Sequence, residues 1–351
     1  MSTVAALPRV CLVLEPTPLH RAPRLSAELG VPILFKRDDL TGAGLGGNKL
    51  RGLEYLIADA QQQGCDCLVT GAGPQSNWTL LAALACLRFD LEPHIVCYGP
   101  AATDEGNMRL HRWLGVDVRF TGDPARASVD TGIVEVAAEL RAAGRQPYVV
   151  PRGGATPLGA LGYVRATAEI AEQISKLGID PTALWLATGS CGTQAGLVAG
   201  ASFTGARFQV TGVTVSRPAA ECRARIQELA AGTVALAAGT VGVAAGTAVL
   251  AARPDASGSA PGLSDRAPNP GTARVLDGWL GPGYGIPSAE GEAAARLVAR
   301  TEGVFLDPTF GAKAMAALIA ECRAGQAYGP QLFLVSGGAP TLFATAKAGG
   351  A

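Results

Sequence analysis

Short apolar runs alternate with longer amphipathic stretches along most of this chain. Residues 67–70, 94–98, 116–120 and 148–150 are brief, apolar or β-branched, and bounded by turn residues, as strands are. Between them, 77–87, 105–114 and 126–143 carry apolar residues at helical spacing. A second series begins near residue 158, with strands expected at 183–188, 208–215, 303–306 and 331–335. Strands that alternate with helices imply an α/β protein whose parallel sheets are covered by helices on both faces. Two such series predict two open sheets: a smaller domain over 52–156, inserted in a larger one formed by 1–51 and 157–351.

One stretch departs from this rhythm. Residues 229–252 are uncharged, long enough by count to suggest a membrane span. Their content argues against it: Ala-Ala-Gly-Thr recurs at 230, 237 and 244, large apolar side chains are few, and basic residues flank both ends. The seven-residue repeat stacks Val234 with Val241 and Leu236 with Val243 and Leu250, so a packed small-residue helix or helix pair is expected, despite about 1 kcal/mol lost per glycine. Residues 253–272 turn to Pro, Gly, Ser and Asp and are expected to form a surface loop.

Composition narrows the partners. Lysine plus arginine equals aspartate plus glutamate at 29 each, leaving no electrostatic reason to bind nucleic acid or an anionic membrane; a small metabolite is the natural partner. The 351 residues suffice for a large core. Eight scattered cysteines form no Cys-x-x-Cys pair, so neither a metal site nor a disulfide framework is expected; Cys65 and Cys67 should share one face of a strand. Residues 1–10 lack a basic start followed by an apolar run, and the expected compartment is the cytoplasm. His20, His94 and His111 are the only histidines and lie in no motif, which disfavours histidine-driven hydrolysis.

Three loops carry candidate chemistry. In Gly44-Leu45-Gly46-Gly47-Asn48-Lys49-Leu50-Arg51, glycines let the backbone approach a ligand, while Leu45, Leu50 and Leu53 are expected to desolvate Lys49 and lower its pKa toward a Schiff-base nucleophile. In Gly71-Ala72-Gly73-Pro74-Gln75-Ser76-Asn77-Trp78-Thr79, a strand runs into a helix whose first residues suit a carboxylate; Ser76 or Asn77 would also cap that helix. Thr188-Gly189-Ser190-Cys191-Gly192-Thr193 again joins strand to helix, and its amides and hydroxyls suit a phosphate group. No Gly-Lys-Ser/Thr follows, and the dinucleotide Gly-x-Gly-x-x-Gly spacing is missing. Cys191 is either an oxidisable thiol at a helix N-terminus or a small filler beside the ligand.

Together these loops, with Lys36-Arg37-Asp38-Asp39, Gly283-Tyr284-Gly285-Ile286-Pro287 and Leu306-Asp307-Pro308, make the chain resemble the 1-aminocyclopropane-1-carboxylate deaminase and D-cysteine desulfhydrase family from about residue 16 to 340. The resemblance implies pyridoxal 5'-phosphate as cofactor, a tryptophan-synthase-β-like fold with the cofactor between two domains, and a homodimer. It also implies that Lys49 bears the cofactor, that Thr188, Gly189, Ser190, Cys191, Gly192 and Thr193 hold its phosphate, and that Ser76 and Asn77 face the substrate carboxylate. Gln75 and Thr79 stand beside them, and Asn77 reaches the ring hydroxyl. Tyr284 is the matched phenol able to act as acid or base.

Two departures from the family pattern bear on the substrate. Where the deaminases read Asp-Pro-Val-Tyr-Glu-Gly-Lys, this chain reads Asp307-Pro308-Thr309-Phe310-Gly311-Ala312-Lys313, losing a hydroxyl and an acidic partner for the pyridine nitrogen; Ser336 is a candidate replacement. Trp78 and Leu80 replace polar residues after Ser-Asn, and the indole either shapes the substrate pocket or packs as core. The expected activity is β-elimination from a small amino acid, as in D-cysteine desulfhydrase, yielding a 2-oxo acid and ammonia. A β-replacement synthase, a racemase, or a cofactor-binding protein without turnover are the alternatives.

Overall fold

A computed structural model describes residues 7–239 and 273–344, in which two sheets face each other across a cleft. The chain enters through β1 (Leu19–Arg21), helix α1 (Pro23–Leu29) and β2 (Ile33–Arg37), then passes through the lysine turn into α2 (Lys49–Gln62). Neither β1 nor β2 stands out in the sequence. β1 is three residues long, and β2 carries Lys36 and Arg37 at its end, yet Lys36 is buried because Glu169 and Gln173, far along the chain, receive its ammonium.

The smaller sheet follows the predicted alternation. β3 (Cys67–Ala72), α3 (Asn77–Arg88), β4 (Glu92–Cys97), α4 (Gly106–Trp113), β5 (Val118–Phe120), α5 (Ser128–Ala142) and β6 (Pro147–Val149) form a parallel sheet ordered β5-β4-β3-β6. Every residue of β3 is buried, as a central parallel strand requires. Cys65 precedes β3 and is not part of it, so the two cysteines do not share a strand face.

The larger sheet takes both ends of the described chain. α6 (Pro157–Leu177), β7 (Ala183–Thr188), α7 (Gly192–Thr204), β8 (Gln209–Thr214), α8 (Ala219–Ala237), β9 (Arg274–Leu276), α9 (Ala289–Glu302), α10 (Gly311–Arg323) and β10 (Gln331–Val335) complete it in the order β1-β2-β10-β7-β8-β9. All its pairings are parallel except β1 with β2. Residues 303–306 are not a strand. Val304 and Leu306 bury while Phe305 is 70% exposed, which mimics strand alternation, but no neighbour pairs with their backbone. The three-residue β9 is an edge strand that no pattern predicted.

Helix α8 contains the first part of the uncharged run, burying Ala230, Thr233, Val234 and Ala237 on one face as the helical repeat requires. The rest of that run and the expected 253–272 loop lie outside the described residues. No described helix is long and apolar enough to cross a membrane. α2 is seated on α6 with backbones in contact: a methyl group added at Gly162 would lie 2.2 Å from the Arg51 carbonyl oxygen. The C-terminal ends of β3, β7, β8 and β10 converge on the cleft, where ligands of open parallel sheets bind.

Candidate active site

Residues carried by both sheets line the cleft. Lys49 stands at its floor because the preceding turn is fixed on three sides. Gly46 adopts φ +71°, and a Cβ there would lie 2.0 Å from the Asp39 carbonyl oxygen, so only glycine fits. The Gly47 amide donates to Thr41 Oγ1 (2.7 Å) and the Asn48 amide to the Ser336 carbonyl (2.9 Å). The Asn48 side chain donates to Thr193 Oγ1 (3.0 Å), tying the lysine turn to the 188–193 turn. Burial lowers the Lys49 pKa to about 8, against a small opposing effect of Cys191; no carboxylate pairs with the amine among the described residues. Leu45 is 55% exposed and takes no part in this desolvation, contrary to expectation; Leu50 and Leu53 are buried.

Facing Lys49, Ser76 caps α3, its Oγ accepting the Trp78 amide (3.2 Å), and Asn77 opens the helix. Both line the cleft. Thr79 does not, and Gln75 borders the adjoining outer pocket that shares Ser76, Tyr98 and Tyr284 with the cleft. The Gln75 amide donates to the Glu105 carbonyl and accepts the Asn107 N–H, while Thr79 is fully buried behind Ser76 and donates to its carbonyl (2.9 Å). Asn107 was not found from sequence: wholly buried, it donates to the Gln75 carbonyl and to Asn77 Oδ1 (3.0 Å each), fixing the orientation of Asn77. Trp78 packs as core and also borders the cleft. Its indole packs on Gly154 and donates to Thr70 Oγ1 (2.9 Å), and one edge lines the cleft.

At the far end, the 188–193 turn wraps a smaller lobe of the cleft against Lys49. The first-turn amides of α7 have no intrahelical acceptor. Ser190 Oγ is buried with no hydrogen-bond partner, an unmet demand that a phosphate oxygen would satisfy. Thr188 is committed elsewhere, donating to Gln194 Oε1 (2.6 Å), and Thr193 already accepts from Asn48. Gly189 and Gly192 contribute backbone only. Cys191 holds a left-handed conformation at the helix cap (φ +73°). A hydrogen bond with Cys222, then burial, raises the pKa of its thiol, which is the behaviour of a filler and not of a reactive thiolate.

The remaining wall is aromatic and basic. The Tyr284 ring meets Phe310 edge-on at 6.1 Å, and burial pushes the Tyr284 phenol up to about 12, so it stays protonated at neutral pH. The carboxylate of Asp307 accepts the amides of Thr309, Phe310 and Gly311 and so caps the start of α10. Gly311 does not reach the cleft; Ser336, at the end of β10, does. Arg126, Arg152 and Arg217 also line it, and no motif had singled them out. Among the described residues no cluster of His, Cys, Asp and Glu suits a metal ion.

The chain's relatives agree with this geometry. Residues 10–337 match the family described as "Pyridoxal-phosphate dependent enzyme". A D-cysteine desulfhydrase of Yersinia enterocolitica is 38% identical over 356 residues, covering 97% of each chain. Another, of Salmonella choleraesuis, is 36% identical over 348 residues and covers 96% of each. A crystal structure titled as an ACC deaminase homologue superposes with a TM-score of 0.83 at 32% identity, covering 97% of this chain and 95% of that one. Since the family match takes in both turns that meet at Lys49 as well as the wall opposite them, the chain belongs to the pyridoxal-phosphate dependent enzyme family.

Proposed function

We propose that the protein is a lyase that eliminates a group from the β-carbon of a small amino acid, leaving a 2-oxo acid and ammonia. The observation that carries this is the placement of one desolvated amine, Lys49, between the Ser76–Asn77 helix start and the Tyr284 phenol. The residues fit the family's cofactor: Lys49 would take its aldehyde, Ser190 and the α7 amides its phosphate, and Ser336, which lines the same cleft, would offer its ring nitrogen a polar neighbour. When bound, pyridoxal phosphate supplies a sink for negative charge at the substrate's α-carbon.

The chain's own groups do the rest. Ser76 and Asn77 orient the substrate carboxylate, with Asn107 holding Asn77. Lys49, once released, removes the α-proton, a role its lowered pKa suits near neutral pH. Tyr284 keeps its proton for the departing group. Phe310 gives that wall an apolar edge against the Tyr284 ring. The reading extends to two domains, 1–51 with 157–351 and 52–156, and to a cytoplasmic homodimer. Sedimentation tests the homodimer.

Two measurements check the site. Reconstitution of cofactor-free protein with pyridoxal phosphate, followed by visible absorbance, should accelerate about tenfold per pH unit below 8, because only the neutral amine attacks, and level off above it. A rate that keeps rising about tenfold per pH unit through pH 9 would return Lys49 to the ordinary lysine range and remove its desolvation from the account. The loaded protein, offered D- and L-cysteine, serine, β-chloroalanine, cysteate and the cyclopropane acid, should release pyruvate with ammonia from at least one of the first five. Pyruvate from none of them would count against elimination.

A further inference from the structure

The cleft is lined by four cations, Lys49, Arg126, Arg152 and Arg217, and by no aspartate or glutamate. Two of the arginines are neutralised by neighbours. Arg152 makes a two-pronged contact with Asp130 (3.0 and 2.9 Å), and Arg217 pairs with Glu221 (3.0 Å). Arg126 differs: among the described residues its contacts are a hydrogen bond from Nη1 to the Ser216 carbonyl (3.2 Å) and the face of Tyr284, 4.2 Å from the guanidinium. These two contacts immobilise the head group between the loop after β5 and the loop after β8, yet leave most of its five N–H donors unused. A fixed, acid-free guanidinium in a cleft is a receptor for an oxyanion.

Neither of the two anions already assigned to the cleft accounts for it. The lobe around the 188–193 turn, where the cofactor phosphate belongs, contains Lys49 but no arginine. The substrate's α-carboxylate has the start of α3. Arg126 stands instead on the Tyr98, Tyr284 and Phe310 wall, next to the phenol that serves the departing group. We propose that the substrate bears a second acid group on its β-carbon, a sulfonate or phosphate oxyanion, and that Arg126 receives it and escorts it away as the leaving group. This rests on the elimination reading above. The α-proton passes to Lys49, the bond from the β-carbon to the acid group breaks with its electron pair leaving on that group, and water converts the remaining product to 2-oxo acid and ammonia. No oxidant or reductant is needed.

Binding tests this apart from turnover. 3-Sulfopropanoate, which has both acid groups but no amine, should bind the cofactor-loaded protein at least about tenfold more tightly than propanoate by calorimetry, since a charge-assisted forked contact is strong. Arg126→Gln should erase that preference, and Arg126→Lys should keep part of it; equal binding of the two acids to the wild type would overturn the proposal. In turnover, the ratio of kcat/KM for cysteate or O-phosphoserine to that for β-chloroalanine should fall about 100-fold in Arg126→Gln. Whichever of the two anionic substrates is faster tells sulfonate from phosphate. If β-chloroalanine is cleaved and neither anionic compound is preferred, Arg126 has been misassigned and elimination stands. If no compound is cleaved, elimination fails, and the sulfopropanoate measurement alone decides whether Arg126 holds an oxyanion.

Discussion

Lys49→Ala protein should fold, fail to develop the visible absorbance of the lysine-bound cofactor, and lose at least about 10³-fold in kcat/KM toward any substrate the wild type accepts, because one side chain both anchors the cofactor and moves the proton. Folding is spared for local reasons. Lys49 is the first residue of α2, where alanine is the best helix former, and no ion pair among the described residues depends on its amine. Removing a desolvated ammonium also relieves a cost. The melting temperature should therefore stay level or rise slightly. Lys49→Arg should not rescue activity, since a guanidinium keeps its proton at every working pH. Added methylamine, small enough to enter the space left by the alanine side chain, should restore part of the rate. Retention of a tenth of wild-type activity by Lys49→Ala would remove Lys49 from the chemistry, and the cleft would need a different base; Tyr284, with a phenol pushed up to about 12, is a poor one.

How much of this was legible beforehand depends on whether a residue's task is local. Gly46, Gly47 and Ser76 are demanded by backbone geometry within a few positions, so the lysine turn and the start of α3 could be read from residue types alone. The parallel strand β3 was equally plain, since it is buried along its whole length, and β4 shows through its last three residues, Ile95 to Cys97. Tertiary partners are another matter. Lys36 conceals β2 because its counter-charge, Glu169, is 133 residues away. Residues 303–306 alternate like a strand because the core takes every second side chain, and pairing, which defines a strand, cannot be seen in sequence. Asn107 and Arg126 matter only because folding brings α4 and the β5–α5 loop to the cleft; nothing in their neighbourhoods marks them. Thr79 illustrates the converse error, since a loop that reaches the cleft at Ser76 need not present every side chain to it.

Two residues after Lys49, on the same helix, Arg51 should prove the costliest single truncation in the chain outside the apolar core. It is 1% exposed and holds both oxygens of buried Asp38 (2.8 Å each), Thr17 Oγ1 (2.9 Å) and Glu169 (3.0 Å). Tyr163 donates to the same Asp38 carboxylate. Burial alone would push the Asp38 pKa up, but the guanidinium outweighs it and holds the carboxyl below its ordinary 3.8; Glu169 is likewise kept below 4.5. Arg51→Met preserves the stem and removes the charge, leaving two carboxylates without their main partner, at a cost of about 3–5 kcal/mol. Asp38→Leu in the same protein should recover part of that loss, because an apolar pair in this space no longer strands a charge. The pH dependence follows from the depressed pKa values. The stability contributed by Asp38 and Glu169 is complete above their unfolded values and disappears as pH falls through the lower folded ones, so acid should destabilise the wild type more steeply than Arg51→Met. Urea titrations of the three proteins at pH 7 and pH 3.5 measure all of this. Because the network clamps the first turn of α2 to the β2 end, the cofactor should also bind Arg51→Met more weakly than wild type. A variant with unchanged urea midpoint and unchanged cofactor affinity would mean that the lysine turn is positioned by Thr41, Asn48 and the α6 contact alone.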